Sequence, residues 1–403
     1  MPAESLSAVP PETLGVYVHF PYCLKKCPYC DFLSLPAARE EIPHTRYADA
    51  VIAELAVRRA SLPSLPLRSI FFGGGTPSLW RARELGRVLS AILEAFPDRR
   101  RDLEVTAECN PSSFDDTVAE GLRAAGINRV SLGVQSLDAE RLRFLGRLHD
   151  AGGALQALAV ARRHGFERVS ADLIFGVAGQ TKEQAAEEVA TVAAQGITHL
   201  SAYALTIEPG TQFGELARRN RLPLLADDAV AESFTAVEKA LEAQGFAHYE
   251  VSNYAKPGAE ARHNLGYWRG DPYLGLGAGA WGTLPFDGAR LRYRNTPAAE
   301  RYLSWAEFQG DVDLSAPSEF VAVTEPLDAE TAFTERLMLG LRLAEGFDWR
   351  LSEARTGAAM WTKSRERAFA KWSQRGAISE RSGKLHIARS HWLLSDGIIA
   401  DLM

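Results

Sequence analysis

Residues 15–30 read GVYVHFPYCLKKCPYC, an apolar, β-branched and aromatic run from Gly15 to Phe20 that breaks at Pro21 into a loop carrying Cys23, Cys27 and Cys30. Such a run reads as a buried strand. Similar runs end in unusual loop residues further on: Arg68 to Phe72 before GGGTP, and Asp102 to Ala107 before Glu108-Cys109-Asn110-Pro111. Arg129 to Gln135, Arg168 to Phe175 and Ile197 to Leu205 bring the strands to six. Helical stretches lie between them, at Tyr47 to Ala60, Ala82 to Ala95, Thr117 to Ala125, Ala154 to His164 and Lys182 to Gln195. Serial strand–helix units predict an α/β fold with parallel strands and right-handed crossovers, either a doubly wound open sheet or a barrel. In both, chemistry gathers at the carboxyl ends of the strands, where the unusual residues of this chain stand.

The 403 residues are 46% hydrophobic, enough for a sizeable core and more than one domain. With 45 Lys+Arg against 51 Asp+Glu, the net charge of −6 supplies no general cationic field and speaks against a nucleic-acid partner. The lack of a long apolar run and of a secretory leader predicts no transmembrane segment and a cytoplasmic location, with any membrane association peripheral and through a partner. After about residue 215 the rhythm gives way to a helix, Asp227 to Ala243, and an aromatic, Gly-rich stretch from His248 to Trp281. From residue 330 onward two helices, a hairpin around Gly383 and a final helix near Ser395 predict a smaller α+β, winged-helix-like domain. Its 12 Lys+Arg against 9 Asp+Glu are too weak a balance for a DNA-binding claim. The expected organisation is a short extension over 1–14, the barrel over 15–220, an extension packing on it over 221–325, and the C-terminal domain over 326–403.

Three of the four cysteines fall within eight residues, which is not a disulfide framework. Thiolates at Cys-x3-Cys-x2-Cys in one loop reach three corners of one cluster at small entropic cost. A fully protein-ligated iron-sulfur cluster wants four, so a triplet leaves one iron open to a ligand. Zinc in a Cys3His site with His19 is the alternative. Lys25 and Lys26 either offset the cluster's charge or keep the loop solvated, and Cys109 reads as a small buried hydrophobe. Gly277-Ala-Gly279-Ala-Trp-Gly282 fits a dinucleotide-binding pattern, but it lacks a surrounding βαβ unit and the acidic residue about 20 positions on, and reads as a backbone turn.

The cysteine run, preceded by Tyr17-Val-His19-Phe-Pro21 and followed by Asp31-Phe32, resembles the cluster motif of the radical S-adenosylmethionine (SAM) enzymes. Gly73-Gly74-Gly75-Thr76-Pro77, Glu108-Cys109-Asn110-Pro111, Gly133-Val134-Gln135-Ser136, Leu145-Gly146-Arg147-Leu148-His149 and Asp172-Leu173-Ile174-Phe175-Gly176 follow in the order of its coproporphyrinogen dehydrogenase-like branch. The resemblance runs from Tyr17 to the tail. It implies a partial (βα)6 TIM-like barrel of the radical SAM type, a 4Fe-4S cluster on Cys23, Cys27 and Cys30, and SAM held on the open iron. One electron passed to the sulfonium would then release a 5′-deoxyadenosyl radical. It implies too that Tyr17, Tyr29, Gly74, Gly75, Thr76, Glu108, Gln135, Arg147 and Asp172 line the SAM site. Glu108 and Asp172 would accept from ribose hydroxyls or the ammonium, Arg147 would take the carboxylate, and the glycines would let backbone approach the ammonium. The proline that follows the Asp-Leu-Ile-Tyr-Gly-Leu run of the family is missing after Val177, where Ala178 stands, which loosens that turn slightly.

Two subgroups of the branch differ in their motifs. The dehydrogenases carry a further cysteine two residues after the triplet, where this chain has Phe32, and a longer N-terminal arm. The radical-SAM heme chaperones share a His-Asn-x-x-Tyr-Trp motif, here His263-Asn264-Leu265-Gly266-Tyr267-Trp268. The resemblance implies that His263, Asn264, Tyr267 and Trp268 bind heme, the imidazole on iron, the aromatic rings on the porphyrin face and Arg262 or Arg269 near a propionate. In a helix, His263 and Tyr267 share one face. The expectation is a chaperone that delivers heme to apo-hemoproteins, with an electron donor for the cluster and a homodimer as one assembly. The alternative is oxidative decarboxylation of coproporphyrinogen III to protoporphyrinogen IX, and a third is an idle iron-sulfur module.

Overall fold

The computed structural model describes residues 9–403 apart from 309–312 and 314, so the first eight residues of the expected extension lie outside the described residues. Strands β1 (Leu14–Phe20), β2 (Leu67–Gly74), β3 (Arg99–Cys109), β4 (Arg129–Gln135), β5 (Arg168–Phe175) and β6 (His199–Ala204) are parallel neighbours in chain order. A doubly wound sheet reverses its order at a switch point, so the unbroken order selects the barrel. Helices α1 (His44–Ala60), α2 (Ala82–Ala95), α3 (Asp116–Ala125), α4 (Ala139–Phe144), α5 (Ala151–Arg163) and α6 (Lys182–Ala193) supply the crossovers. Their ends are locally specified: the Asp115 side chain accepts from Val118 N–H and Gly126 closes α3 at φ +105°, while Thr181 and Gln184 form a capping box on α6.

Period two sorts the strand residues. On β4, Val130, Leu132 and Val134 are buried beneath helices, whereas Ser131, Gly133 and Gln135 face the lumen and keep some exposure. Register carries this face round the barrel, with Tyr17 beside Phe71, Glu108 beside Ser131, and Asp172 between Gly133 and Ser201.

After α7 (Gln212–Arg218) and α8 (Asp227–Ala243), β7 (Ala247–Glu250) and β8 (Asn253–Ala255) add antiparallel strands beyond β6. Helix α9 (Arg262–Trp268) then leads across to β9 (Tyr273–Leu276), which pairs parallel to β1 on the other edge. Beyond it come antiparallel β10 (Trp281–Phe286), β11 (Ala289–Asn295) and, after α10 (Ala299–Leu303), β12 (Val321–Leu327). Among the described residues, the strands between Ala247 and Leu327 widen the barrel's sheet at both edges, to twelve strands. The Gly277–Gly282 run is the β9–β10 turn: Gly277 sits at φ +101°, and a Cβ there would stand 2.3 Å from the His19 carbonyl oxygen.

Helices α11 (Ala329–Gly340), α12 (Trp349–Thr356), α13 (Lys363–Gln374) and α14 (Ser395–Leu402) pack with a three-stranded antiparallel sheet of Phe347–Asp348, Lys384–Ile387 and Ile378–Arg381. Phe333, Leu337, Met360, Leu385 and Ile398 form a core separate from that of the barrel. Among the described residues no helix is long and apolar enough to cross a membrane.

Candidate functional site

The cysteine loop leaves the carboxyl end of β1 and is laid against the glycine loop that leaves β2. Gly75 N–H donates to Phe20 O at 2.7 Å and Thr76 N–H to Tyr22 O at 2.9 Å. A Cβ on Gly75 would come within 2.7 Å of Pro21, and one on Gly74, at φ +107°, within 2.4 Å of the His19 ring. The first demand on these glycines is thus the crossing of two protein loops. Each partly exposed thiol has a polar neighbour: Thr76 Oγ1 donates to Cys23 Sγ at 3.3 Å, Arg147 Nη1 to Cys27 Sγ at 3.4 Å, and Ser34 Oγ lies 4.0 Å from Cys30 Sγ. Burial pushes the Cys23 thiol up to about 11 and raises Cys30, so the thiolate form calls for a bound cation. His19, the fourth ligand of the zinc alternative, spends one ring nitrogen on Tyr17 OH and the other on Leu33 O, both at 2.8 Å. Among the described residues no three His, Cys, Asp or Glu side chains converge closely enough for one metal ion, and a multi-iron cluster with separate corner irons does not require it. The donor set fits such a cluster and not a Cys3His zinc site.

Beneath this loop the lumen face carries two carboxylates. Glu108 Oε2 accepts from Gly74 N–H at 3.1 Å, and both Asp172 carboxylate oxygens lie 3.1 Å from Ser131 Oγ. Burial, reinforced by Asp172, pushes Glu108 up to about 8, and burial raises Asp172 as well. Among the described residues neither forms a salt bridge. Gln135 follows a register shift against β5, at φ +65°, and a Cβ on Gly133 would stand 2.9 Å from its Nε2 and 3.2 Å from Arg147 Nη2. Arg147 donates from Nη2 to Gly133 O at 2.9 Å, while its buried Nε has no partner among the described residues. Tyr29 packs on Phe213 beside Arg147 and Cys27, and Tyr17 stacks on Phe71. Two carboxylates outside any salt bridge and a guanidinium with a spare N–H suit a ligand carrying both charges, such as SAM. Ser131 and Tyr203, which the motifs did not mark, share this lumen; for Ser131 the signal was its spacing of two from Gly133.

The His-Asn-x-x-Tyr-Trp motif forms α9, at the opposite end of the lumen. His263 is 1% exposed and stacks on Phe71 at 5.0 Å. Its Nδ1 bonds Ser69 Oγ and its Nε2 bonds Tyr267 OH, both at 2.9 Å. The N–H groups of Arg262 and His263 donate to the carboxylate of Glu104, which is also 3.6 Å from both Arg129 and Arg168. A Cβ on Gly266 would fall 1.7 Å from Arg68 Nη2, so a larger residue there would displace the Arg68 guanidinium. The shared face of His263 and Tyr267 is present, and both imidazole nitrogens are hydrogen-bonded within the protein. These bonds give the buried polar floor of the lumen the partners it needs. Asn264 and Trp268 remain partly exposed.

The radical SAM superfamily matches residues 17–192, and the HemN C-terminal domain matches residues 327–396. The heme chaperone HemW of Mycobacterium tuberculosis is 36% identical over 399 residues, spanning 99% of this chain and 97% of that protein. Heme chaperone HemW of Escherichia coli is 38% identical, over 76% of this chain and 81% of its own. Among solved structures, coproporphyrinogen III oxidase (HemN) from Escherichia coli, a radical SAM enzyme, aligns with a TM-score of 0.79 at 21% identity, over 97% of this chain and 90% of that one. That likeness is one of fold.

Proposed function

The chain belongs to the family of the heme chaperone HemW, and from this premise we propose that it binds a 4Fe-4S cluster, SAM and heme, and delivers heme to apo-hemoproteins. The observation that carries the reading is the meeting, at one barrel mouth, of three thiols, a buried arginine with a spare N–H and two buried carboxylates outside any salt bridge. Cys23, Cys27 and Cys30 hold the cluster, which supplies one electron and an open iron for SAM. Tyr17, Tyr29, Gly74, Gly75, Thr76, Gln135 and Asp172 enclose the cofactor. Arg147 meets its carboxylate, and Glu108, whose proton burial holds up to about 8, gives that proton to solvent on meeting a cation. Phe32, 61% exposed at the loop edge, stands where the dehydrogenases carry another cysteine, which favours carriage of heme over decarboxylation.

Anaerobic reconstitution tests this. The reconstituted protein is expected to bind hemin, to pass it to an apo-hemoprotein and, given SAM, reductant and coproporphyrinogen III, to make no protoporphyrinogen IX. Formation of protoporphyrinogen, or failure to bind hemin, overturns it.

A further inference from the structure

On the floor side of the barrel, where α9, β9 to β11 and α11 meet, lies a cavity of about 260 Å³, open to solvent on one side. Tyr267, Tyr273, Leu327 and Leu339 give it apolar and aromatic walls, and Arg290, Arg292 and Arg336 line it together with Asp271 and Glu335. Four guanidiniums gather at this junction, on Arg68, Arg290, Arg336 and Arg355, with side-chain exposures of 5 to 13%. Two carboxylates answer them. Asp271 takes Arg68 at 2.7 Å and Arg355 at 3.0 Å, while Glu12 pairs with Arg290 and stands 3.9 Å from Arg355 and 4.0 Å from Arg336. The close contacts of Arg336 are neutral, Gly270 O at 2.7 Å and Ser352 Oγ at 3.4 Å. Among the described residues the Nε atoms of Arg68 and Arg355 have no partner. Arg292, on the same wall, meets Glu325 and Glu335, so at the whole junction five guanidiniums face four carboxylates and one positive charge is in surplus.

Burial, with Arg290 and Arg355 nearby, lowers Arg336 to about 10, as expected where cations outnumber anions. Buried charge without a counter-charge is unfavourable, and an arginine surplus beside aromatic walls fits an apolar body that carries carboxylates on one edge. Resting on the heme-carrying reading above, we propose that this cavity docks the propionate edge of a tetrapyrrole. The two carboxylates meet Arg290 and Arg336, and the ring edge rests between Tyr267, Tyr273 and Leu339. The cavity is smaller than the roughly 300–1,000 Å³ of pockets that engulf a drug-sized ligand, so most of the macrocycle stays outside, within reach of an acceptor. The motif residue Tyr267 thereby serves both ends, its hydroxyl holding His263 and its ring lining the cavity.

Titration of the full chain with hemin, metal-free protoporphyrin IX and hemin dimethyl ester tests this. Hemin and protoporphyrin IX are expected to bind alike, and the ester, which lacks the charges, at least about 10-fold more weakly. Arg290→Gln should weaken hemin binding by about 10- to 100-fold. Leu339→Glu, which touches no ion pair, should weaken it in the same direction, with melting curves confirming that both variants fold. Hemin binding that is intact, indifferent to esterification and unchanged in both variants overturns the docking site and leaves the carrier reading standing. Absence of hemin binding by the wild type overturns the carrier reading, and the docking site with it.

Discussion

The floor and the mouth of the barrel are two ends of one lumen, built from the same alternating strand positions and finished in opposite ways. Glu104 and Glu108 lie on one strand and one face. Glu104 is fully buried and meets Arg129, Arg168 and two N–H groups of α9. Glu108 meets one N–H and the field of another carboxylate, and its proton is held up to about 8. A buried charge that the protein neutralises itself belongs to the structure, whereas one left for something else to neutralise marks a site for a ligand.

The sharpest break in this comparison is at the thiols. Replacing Cys23, Cys27 or Cys30 by Ala should abolish the reconstituted cluster's visible absorbance, while circular dichroism shows the barrel folded. Next in size, Glu104→Ala leaves Arg129 buried without its carboxylate and should destabilise the fold by about 3–5 kcal/mol in denaturant unfolding. Glu108→Gln should leave stability nearly unchanged or raise it, and weaken SAM binding by about 10-fold or more in calorimetry. Equal stability losses at the two glutamates would erase the distinction. His263→Ala should cost about 1–3 kcal/mol through the unpaired Ser69 and Tyr267, and its hemin affinity should stay close to wild type.

The smallest effect is in pH. Because Glu108 is raised in the folded protein, its contribution to stability is full below the unfolded value of about 4.5 and is lost as pH rises to about 8. The melting temperature of the cofactor-free protein should accordingly fall across that window relative to Glu108→Gln. SAM affinity should rise over the upper part of the same window in the wild type and stay flat in the variant.

Much of the mouth was legible because its information is local. Cys23, Cys27 and Cys30 share one loop, and the strand rhythm that leads into them depends on the nearest neighbours in sequence. The floor was not. His263 meets Ser69 and Glu104 across about 160 to 190 residues, and nothing in the spacing of the motif says that its imidazole turns into a barrel. Two signals pointed there: Glu104, two positions from Thr106 and four from Glu108 on a lumen-facing strand, needed a buried partner, and Gly266 inside a helical motif marked a close approach. Strands β9 to β12 were missed because β9 is short and glycine-bounded and its partner, β1, lies over 250 residues away.

By itself the sequence determined the six strand–helix units, the strand ends that carry chemistry and the thiols that start the site, since periodicity and loop spacing act over a few residues, while the strand order that makes the units a barrel appears only in the fold. Tertiary structure alone decided that the histidine motif closes the floor, and that Arg68, Arg290, Arg336 and Arg355 share one surplus of charge. Burial and charge balance are properties of what the folded chain brings together, and they exist only once distant segments have met.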